Sequence, residues 1–292
     1  MATQQASRIG VVQMCSGDDV AKNLAFAQQK IRQAAEEGLD LVAFPETFLY
    51  VGQDHKQKHQ LAQRLDDELL PLFREWARQH HLSILLGSVY EPISTHPHQL
   101  YNTALLIDQY GELIARYRKI HLCDAPALGY HESAGIKAGD MPVVVAHDIG
   151  TIGLSICYDL RFPELFRYMA LQGAQIIFVP AAFFLYTGQR HWMPLLTARA
   201  IENQVYIVAP NQWGQHYEGR TSCGRSTVID PWGNVISCAS EREELISAHI
   251  DLDYLQQVRS TMPALAHSRP AVYEAENATY GVDSHCPSMR ID

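Results

Sequence analysis

Short apolar runs alternate with amphipathic stretches along the first 90 residues of the chain. Residues 8–14, 39–45 and 82–89 are apolar runs of buried-strand type, whereas residues 19–37 carry apolar side chains at spacings of three and four, which is typical of an amphipathic helix. A second helical pattern covers residues 56–81. Strand, helix and strand in this order favour parallel strands joined by right-handed crossovers.

Antiparallel strand pairs are predicted further along the chain. Residues 102–107 and 112–118 flank a Gly-containing turn, as do residues 141–147 and 151–156, and such turns are typical of hairpins. The remaining predicted elements are helices at 162–172 and 189–203, strands at 174–179, 205–209, 221–230, 234–238 and 245–250, and an irregular tail after the last strand. No repeat or linker interrupts this pattern. We therefore expect one α/β domain over 1–292, with its core at about 8–273 and with either a mixed sheet or two sheets between helix layers.

Composition and charge exclude several classes of protein. The 292 residues include 23 Lys and Arg against 32 Asp and Glu, a formal net charge of −9, and without a basic run no nucleic acid partner is expected. The longest apolar stretch, residues 176–186, contains Pro180 and falls short of the roughly 20 residues that cross a bilayer, so no membrane partner is expected. The N-terminal residues lack the layout of a secretory signal, which favours a cytoplasmic location.

Neither the cysteines nor the histidines form the complete pattern of a typical metal site. Six cysteines occur without a CxxC pair or a regular interval, which predicts neither a zinc site nor a disulfide framework. His55 and His59 have the i, i+4 spacing of helical metal ligands, but no Glu follows the first of them. Solvated histidines are therefore the better interpretation, and we expect no metal.

Three reactive side chains each follow a predicted strand. Glu46 comes after the second apolar run, Lys119 after the hairpin strand at 112–118, and Cys157 after the strand at 151–156. Ligands of α/β proteins bind at the carboxyl ends of strands, so we expect the three side chains to meet there. Cys157 also precedes a predicted helix, and the positive end of a helix dipole favours a thiolate and can hold an oxyanion.

A cysteine, a glutamate and a lysine together could perform nucleophilic catalysis. A thiol at its usual pKa of ~8.5 is only a few per cent thiolate at neutral pH and needs a base. Apolar residues 42–45 precede Glu46, and a low-dielectric setting raises the pKa of a carboxylate and makes it a better proton acceptor. Lys119 would favour the thiolate and later the negative oxygen of a tetrahedral intermediate.

Each of these residues also has a structural interpretation. A free cysteine is most often a buried apolar filler, and Glu46 and Lys119 taken alone are typical of surface charges. A Cys–His pair with His121 or His191 is another interpretation, although no third, orienting residue is evident. The side chains that could line a pocket, or belong to the core instead, are Tyr158, Phe183, His191 and Trp192.

Three segments resemble the signature motifs of the nitrilase, or carbon–nitrogen hydrolase, superfamily. They are Phe44-Pro-Glu-Thr-Phe48, Tyr117-Arg-Lys-Ile-His-Leu122 and Ile156-Cys-Tyr-Asp-Leu-Arg-Phe-Pro-Glu164. The resemblance extends from Arg8 to about Tyr273. It implies a four-layer αββα sandwich with mixed sheets, usually paired into a homodimer or a larger homo-oligomer. It also implies a thioester mechanism that uses neither a metal nor an organic cofactor.

The resemblance assigns a role to each reactive residue. Cys157 would be the nucleophile, Glu46 the general base and Lys119 the oxyanion stabiliser. Glu132 matches a second glutamate near the lysine, and could hold the Lys119 ammonium or position the leaving amine. The reaction would hydrolyse a small linear amide to an acid and ammonia.

The choice of substrate depends on the branch of the superfamily. Residues 211–216 and 226–233 are most similar to the branch that contains deaminated glutathione amidases, whose near neighbours are ω-amidases that act on amides of keto acids. An N-carbamoyl or nitrile substrate is a further enzymatic alternative. The alternative from another class is a non-catalytic member that binds a metabolite or scaffolds a partner, but the intact Cys, Lys and two Glu favour catalysis.

Overall fold

Two six-stranded sheets form the middle of the computed structural model, which describes residues 6–273. In spatial order, the first sheet consists of β16 (Glu244–Ile250), β1 (Ser7–Gln13), β2 (Leu41–Ala43), β3 (Ser83–Pro92), β4 (Leu100–Ile107) and β5 (Leu113–Arg118). The second consists of β15 (Val235–Cys238), β14 (Thr227–Ile229), β11 (Tyr206–Ala209), β10 (Ile176–Phe178), β9 (Gly150–Leu154) and β8 (Val143–His147). Two ribbons pair β6 (Asp124–Ala125) with β7 (Tyr130–His131), and β12 (Trp213–Tyr217) with β13 (Arg220–Cys223).

The middle of each sheet is parallel and its edges are antiparallel. Strands β1, β2 and β3 run parallel, as do β9, β10 and β11. Strand β4 pairs antiparallel with β3 and β5, and β8 pairs antiparallel with β9. These pairings confirm the predicted β-α-β connections and hairpins. Because parallel strands end on the same side of a sheet, the residues that follow them are brought to a common edge.

Helices cover the outer face of each sheet. The first sheet packs against α1 (Val20–Glu36), α2 (His55–Gln63) and α3 (Leu70–His80), and the second against α4 (Pro163–Leu171) and α5 (Leu185–Asn203). Helix α1 begins after Asp19, whose side chain accepts a 3.0 Å hydrogen bond from the backbone N–H of Lys22. This N-cap satisfies one of the free amides of the first turn.

One apolar core lies between the sheets, and a second lies between the first sheet and its helices. Leu41 of the first sheet packs in the same core as Phe178 of the second. The next residue, Val42, belongs instead to the second core with Ile31 of α1. Successive residues of a strand point to opposite faces of the sheet. Because both sets of side chains are apolar here, both faces of the sheet must be covered. The result is the four-layer αββα sandwich expected from the family resemblance.

Three features near the second sheet differ from the sequence prediction. The strand predicted at 221–230 is divided into β13 and β14, because Gly224 and Arg225 have φ angles of 65° and 57° and turn the chain out of the extended conformation. Helix α5 begins at Leu185, earlier than predicted, and continues through Pro194. Strand β12, which pairs with β13, lies where no strand is predicted.

The chain after the last strand is helical, whereas the sequence pattern predicts an irregular tail. Helix α6 (Leu252–Thr261) is capped by Asp251 and buries Leu255 and Val258, and α7 (Pro270–Tyr273) follows it. The remainder of the predicted tail, residues 274–292, lies outside the described residues. Within residues 6–273, no helix combines the length and the apolar character that a bilayer span requires.

Candidate active site

Glu46, Lys119 and Cys157 follow three strands that end at the same edge of the sandwich. Glu46 comes shortly after β2, Lys119 directly after β5, and Cys157 shortly after β9. All three side chains line one small cavity of about 30 Å³. The convergence predicted from the strand ends is therefore present in the structure.

The Lys119 ammonium is enclosed by two carboxylates. Its Nζ donates to Glu46 Oε1 at 2.9 Å and to Glu132 Oε2 at 2.8 Å, and only 2% of the lysine is exposed. The Asn102 side-chain amide lies across the same two carboxylates, at 2.9 Å from Glu46 and 3.2 Å from Glu132. Buried charges are stable only when they are paired and hydrogen-bonded, and this cluster satisfies both conditions.

Glu46 is held from several directions. Its Oε2 accepts a 2.8 Å hydrogen bond from the backbone N–H of Ala182, and its own backbone carbonyl accepts one from the Gln212 side chain at 3.1 Å. Cys157 lines the same small cavity, and each of the two side chains shifts the pKa of the other. The carboxylate is thus fixed by the lysine and by the backbone of Ala182 beside the thiol.

Cys157 occupies a constrained position at the start of a 3₁₀ turn, Cys157–Arg161. Its φ angle of 49° is left-handed, which is uncommon for a residue with a side chain. Its backbone N–H donates to Pro180 O at 2.8 Å, so this amide is not available to a substrate oxygen. Asp159 braces the turn by accepting a 2.8 Å hydrogen bond from the Ile156 N–H.

The electrostatics of the site differ from the sequence prediction for two groups. Burial and the charge of Glu46 raise the pKa of Cys157 well above its ordinary value, and the opposing effect of Lys119 is smaller. For Glu46, burial acts to raise the pKa, but the charge and hydrogen bond of Lys119 outweigh it and the pKa is lowered. The prediction of a raised pKa for Glu46 is therefore wrong, because the charge and hydrogen bond of Lys119 stabilise its carboxylate. The expected effect of Lys119 in favour of the thiolate is present but is outweighed by burial and by Glu46.

Lys119 shows the complementary shift. Burial acts to lower its pKa, but the charges of Glu132 and Glu46 outweigh that effect and hold the pKa well above its ordinary value. The resting arrangement is thus a charged lysine, a charged Glu46 and a neutral thiol in the same cavity. Such an arrangement can transfer the thiol proton to Glu46 at the moment when the sulfur attacks a substrate.

The structure brings two of the four predicted pocket residues to the cavity beside Cys157. Tyr158 and Phe183 line it. Trp192 is fully buried, packs against Phe183 with ring centroids 5.1 Å apart, and donates its indole N–H to Arg225 O at 2.9 Å, so it is placed in the core. His191 is exposed and lies beside Arg161, outside the lining of the cavity.

The histidine named as an alternative partner of the nucleophile has other contacts. His121 Nδ1 lies 2.7 Å from Asp159 Oδ1, and its ring stacks on Phe162 with centroids 3.7 Å apart. Glu46 and Lys119 are the charged groups that act most strongly on the pKa of Cys157, whereas His121 is paired with Asp159. The geometry thus favours the glutamate over the histidine as the base.

A second, larger cavity of about 440 Å³ adjoins the first and shares Glu46, Tyr130, Ala182 and Arg220 with it. His55 and His59 line this cavity. Within the described part of the chain, no group of three or more His, Cys, Asp or Glu side chains is placed to hold a metal ion. The volume is in the range of pockets that bind small molecules.

The sequence pattern did not single out Asn102, Tyr130 or Arg220, which complete the site. Asn102 was detectable in principle, because the hairpin pairing of Thr103 with Arg118 places it beside Lys119. The backbone carbonyl of Asn102 accepts from the Lys119 N–H at 2.9 Å. Tyr130 and Arg220 belong to short ribbons outside the main sheets, and no local periodicity indicates them.

Comparison with known protein families agrees with the fold and with the arrangement of the site. The family model described as carbon-nitrogen hydrolase matches residues 8–260. The chain therefore belongs to the carbon–nitrogen hydrolase family. It is a hydrolase of carbon–nitrogen bonds other than peptide bonds, and its activity is that of an amidase.

The relatives of this chain have names that are more specific than the description of the family. It is 42% identical to a deaminated glutathione amidase of Synechocystis sp. over 261 residues, which cover 88% of this chain and 96% of the relative. It is 38% identical to the deaminated glutathione amidase of Homo sapiens over 271 residues, which cover 91% of this chain and 83% of the relative.

Solved structures show the same similarity. The crystal structure of the Caenorhabditis elegans NitFhit protein has a TM-score of 0.88 and 41% identity, covering 94% of this chain and 67% of that chain. A mutant of the amidase from Nesterenkonia sp. AN1, in which acrylamide has added to the active-site cysteine, has a TM-score of 0.74 and 29% identity, covering 88% and 98%. The structural neighbours therefore include an amidase with an active-site cysteine.

Proposed function

We propose that this amidase hydrolyses deaminated glutathione, with Cys157 as the nucleophile, Glu46 as the general base, Lys119 as the oxyanion stabiliser and Glu132 as the residue that positions Lys119. The observation that carries the proposal is the 2.9 Å hydrogen bond between Lys119 and Glu46 in a cavity that Cys157 also lines. The substrate is taken from the names of relatives from bacteria to mammals.

Acylation begins with the neutral thiol. As Cys157 Sγ bonds to the amide carbonyl carbon, its proton passes to Glu46, and the carbonyl electron pair moves onto oxygen beside the Lys119 ammonium. Glu46 then gives the proton to the amide nitrogen, the carbon–nitrogen bond breaks and the amine leaves. The product on the enzyme is a thioester of Cys157, and Glu46 is again a carboxylate.

Deacylation repeats the sequence with water. Glu46 takes a proton from the attacking water, the oxyanion again forms beside Lys119, and collapse of the intermediate expels the Cys157 sulfur, which recovers the proton. Glu132 acts throughout by holding the ammonium in place at 2.8 Å. The net reaction consumes one water and yields a carboxylic acid and an amine.

The amine released depends on the substrate. In deaminated glutathione the amide nitrogen belongs to the cysteinylglycine dipeptide, so hydrolysis yields that dipeptide and 2-oxoglutarate. In α-ketoglutaramate, the ω-amidase alternative, the amine is ammonia and the acid is the same. The cavity of about 440 Å³ next to the catalytic cavity favours the larger substrate, because it leaves room for a dipeptide leaving group.

The test measures 2-oxoglutarate released from deaminated glutathione and from α-ketoglutaramate. We expect a higher kcat/KM for deaminated glutathione, and a loss of at least about 10⁴-fold in Cys157→Ala. Cys238→Ala is the matched control, because Cys238 is a free, exposed cysteine. Release of 2-oxoglutarate by Cys157→Ala at the wild-type rate would contradict the nucleophile, and a preference for α-ketoglutaramate would contradict the substrate.

The proposal also includes the oligomeric state and the location of the protein. A homodimer is supported by exposed apolar side chains on the outer helix layer of the second sheet, where Tyr168 and Ile201 are 47% and 51% exposed. Sedimentation of the wild type and of Ile201→Glu tests it.

A cytoplasmic location is supported by the free thiols of the described residues. They are Cys15, Cys123, Cys157, Cys223 and Cys238. We further propose that the whole chain forms one catalytic domain.

A further inference from the structure

Arg220 is a buried cation that packs against two aromatic rings. It lies on β13 with 7% of its surface exposed, and its guanidinium packs 3.7 Å from the ring centroid of Phe184 and 5.2 Å from that of Tyr130. Within residues 6–273, no carboxylate lies within 4.0 Å of it. Because a guanidinium stays charged in proteins, a buried one without an anionic partner is costly.

The two terminal nitrogens of the Arg220 guanidinium differ in their hydrogen bonds. Nη2 donates a 2.7 Å hydrogen bond to Ala182 O, whereas the buried Nη1 has no hydrogen-bond partner among the described residues. Buried polar atoms without a partner are rare and call for an explanation such as a bound ligand. Arg220 lines both cavities, so a ligand in either of them can reach it.

The position of Arg220 relative to the general base is defined by a single residue. Ala182 accepts from Arg220 through its carbonyl and donates to Glu46 Oε2 through its N–H at 2.8 Å. The guanidinium therefore lies no more than about 9 Å from the Glu46 carboxylate, given the size of one residue. A chain of five carbons spans roughly 5 Å, so a substrate attacked at one end can reach Arg220 with the other.

A second cation adds to the positive charge of this region. Lys58 lines the larger cavity, and its pKa is lowered by burial and then by the charge of Arg220. Both cations therefore line the larger cavity. An anion placed between them would relieve both the desolvation of Arg220 and the repulsion between the two groups.

We propose that Arg220 binds a carboxylate on the acyl part of the substrate and makes the enzyme selective for monoamides of dicarboxylic acids. A carboxylate matches the planar donors of a guanidinium and forms short, charge-assisted hydrogen bonds with them. The inference rests on the proposed function, because both candidate substrates deliver the same 2-oxoglutaroyl group with its free carboxylate. Arg220 is accordingly a specificity-determining residue that does not take part in bond breaking.

The experiment measures binding to the Cys157→Ala enzyme by calorimetry, so that it does not depend on turnover of any substrate. The ligands are glutaramate and pentanamide, which differ only in a terminal carboxylate or methyl group. We expect glutaramate to bind about 100-fold more tightly, as for a buried charge pair. Equal affinity for the two ligands would overturn the inference.

Variants then assign the preference to Arg220. In the Cys157→Ala background, Arg220→Met is expected to reduce the ratio of the two affinities to about one, and Arg220→Lys to restore about a tenth of it, because the charge returns without the planar fork. Arg32→Met is the matched control, since Arg32 is exposed on α1 and lines neither cavity. A ratio unchanged in Arg220→Met would overturn the inference.

Two outcomes separate this inference from the proposed function. If Arg220→Met does not fold, the preference of the Cys157→Ala enzyme for glutaramate and the partial loss in Arg220→Lys still test the inference. If 2-oxoglutarate is not released from either candidate substrate, the proposed function fails while the binding preference can still hold. If instead Arg220 held the leaving dipeptide, Arg220→Lys would weaken binding of deaminated glutathione but not of glutaramate, which would also overturn the inference.

Discussion

The Tyr117 hydroxyl donates a 2.6 Å hydrogen bond to Asp159 Oδ2. Tyr117 lies two residues before Lys119 on β5, and Asp159 lies two residues after Cys157 in the 3₁₀ turn. Asp159 is fully buried. This one bond therefore ties the strand that carries the cation of the site to the turn that carries the thiol.

We expect Tyr117→Phe to destabilise the protein by about 1–3 kcal/mol, because the buried carboxylate of Asp159 loses a donor. The distance between the lysine and the thiol is also less constrained, so kcat should fall. Urea unfolding and steady-state kinetics measure the two effects. Tyr110→Phe is the control, since Tyr110 is 64% exposed and a surface substitution costs roughly 0.5 kcal/mol or less. Equal effects of the two substitutions would contradict the role of the bond.

Removal of the Lys119 ammonium should reverse the way in which the contribution of Glu46 to the free energy of unfolding changes with pH. In the wild type the pKa of Glu46 is lowered, so its contribution is present above the unfolded pKa of ~4.3 and is lost as the pH falls through the folded pKa. In Lys119→Met, burial acts without the opposing charge and raises that pKa. The contribution then becomes unfavourable at neutral pH and improves as the pH falls toward 5.

The magnitude of this effect is large because a buried ion pair is broken. We expect Lys119→Met to lose about 3–5 kcal/mol of unfolding free energy at pH 7, and less at pH 5. Unfolding by urea across this pH range is the measurement. Lys56→Met, a substitution of an exposed lysine on α2, is the control. A loss in Lys119→Met that does not change with pH would rule out the electrostatic explanation.

The pH profile of kcat/KM distinguishes a neutral thiol from a resting thiolate. Because the pKa of Cys157 is raised well above 9.0, the rate should not rise with thiol ionisation between pH 7 and 9. The acid limb should lie below pH ~4.3, where Glu46 becomes protonated. Initial rates from pH 3 to 9 are the measurement. A tenfold rise per pH unit that levels off near the ordinary thiol pKa would show that the thiolate forms before substrate attack.

Gly87 on β3 is required by the close approach of the segment that leads to Glu46. A Cβ at this position would lie 1.6 Å from Phe44 O and 2.7 Å from Pro45 O, both backbone atoms. We expect Gly87→Ala to lose roughly 2–4 kcal/mol of stability. Displacement of Glu46 should lower kcat by about 100-fold.

Thermal unfolding and kinetics test this prediction against Gly17→Ala. A Cβ at Gly17 meets no atom within 4 Å, so its substitution should change stability by about 1 kcal/mol at most. If Gly87→Ala retained wild-type stability and activity, Glu46 would not depend on the contact between β3 and Phe44.

The local pattern of the sequence was sufficient for most elements of the fold. Residues 19–37 repeat apolar positions every three or four residues, and α1 occupies Val20–Glu36. The segment after Ile250 shows why such patterns fail. Helix α6 buries only Leu255 and Val258, which is too short an apolar stripe to be distinguished from a loop by its spacing alone.

Local sequence patterns are enough to predict the order of strands and helices, and the position of Glu46, Lys119 and Cys157 after strand ends, because these depend on neighbours within a few residues. The protonation states of the three side chains depend instead on contacts made in the folded protein. Apolar residues beside Glu46 predict a raised pKa, but Lys119 lies 73 residues away in the sequence and 2.9 Å away in space. Coulombic energy depends on spatial distance and burial, which no local pattern contains. Among the described residues Nη1 of Arg220 has no hydrogen-bond partner, and this too is visible only in the folded chain.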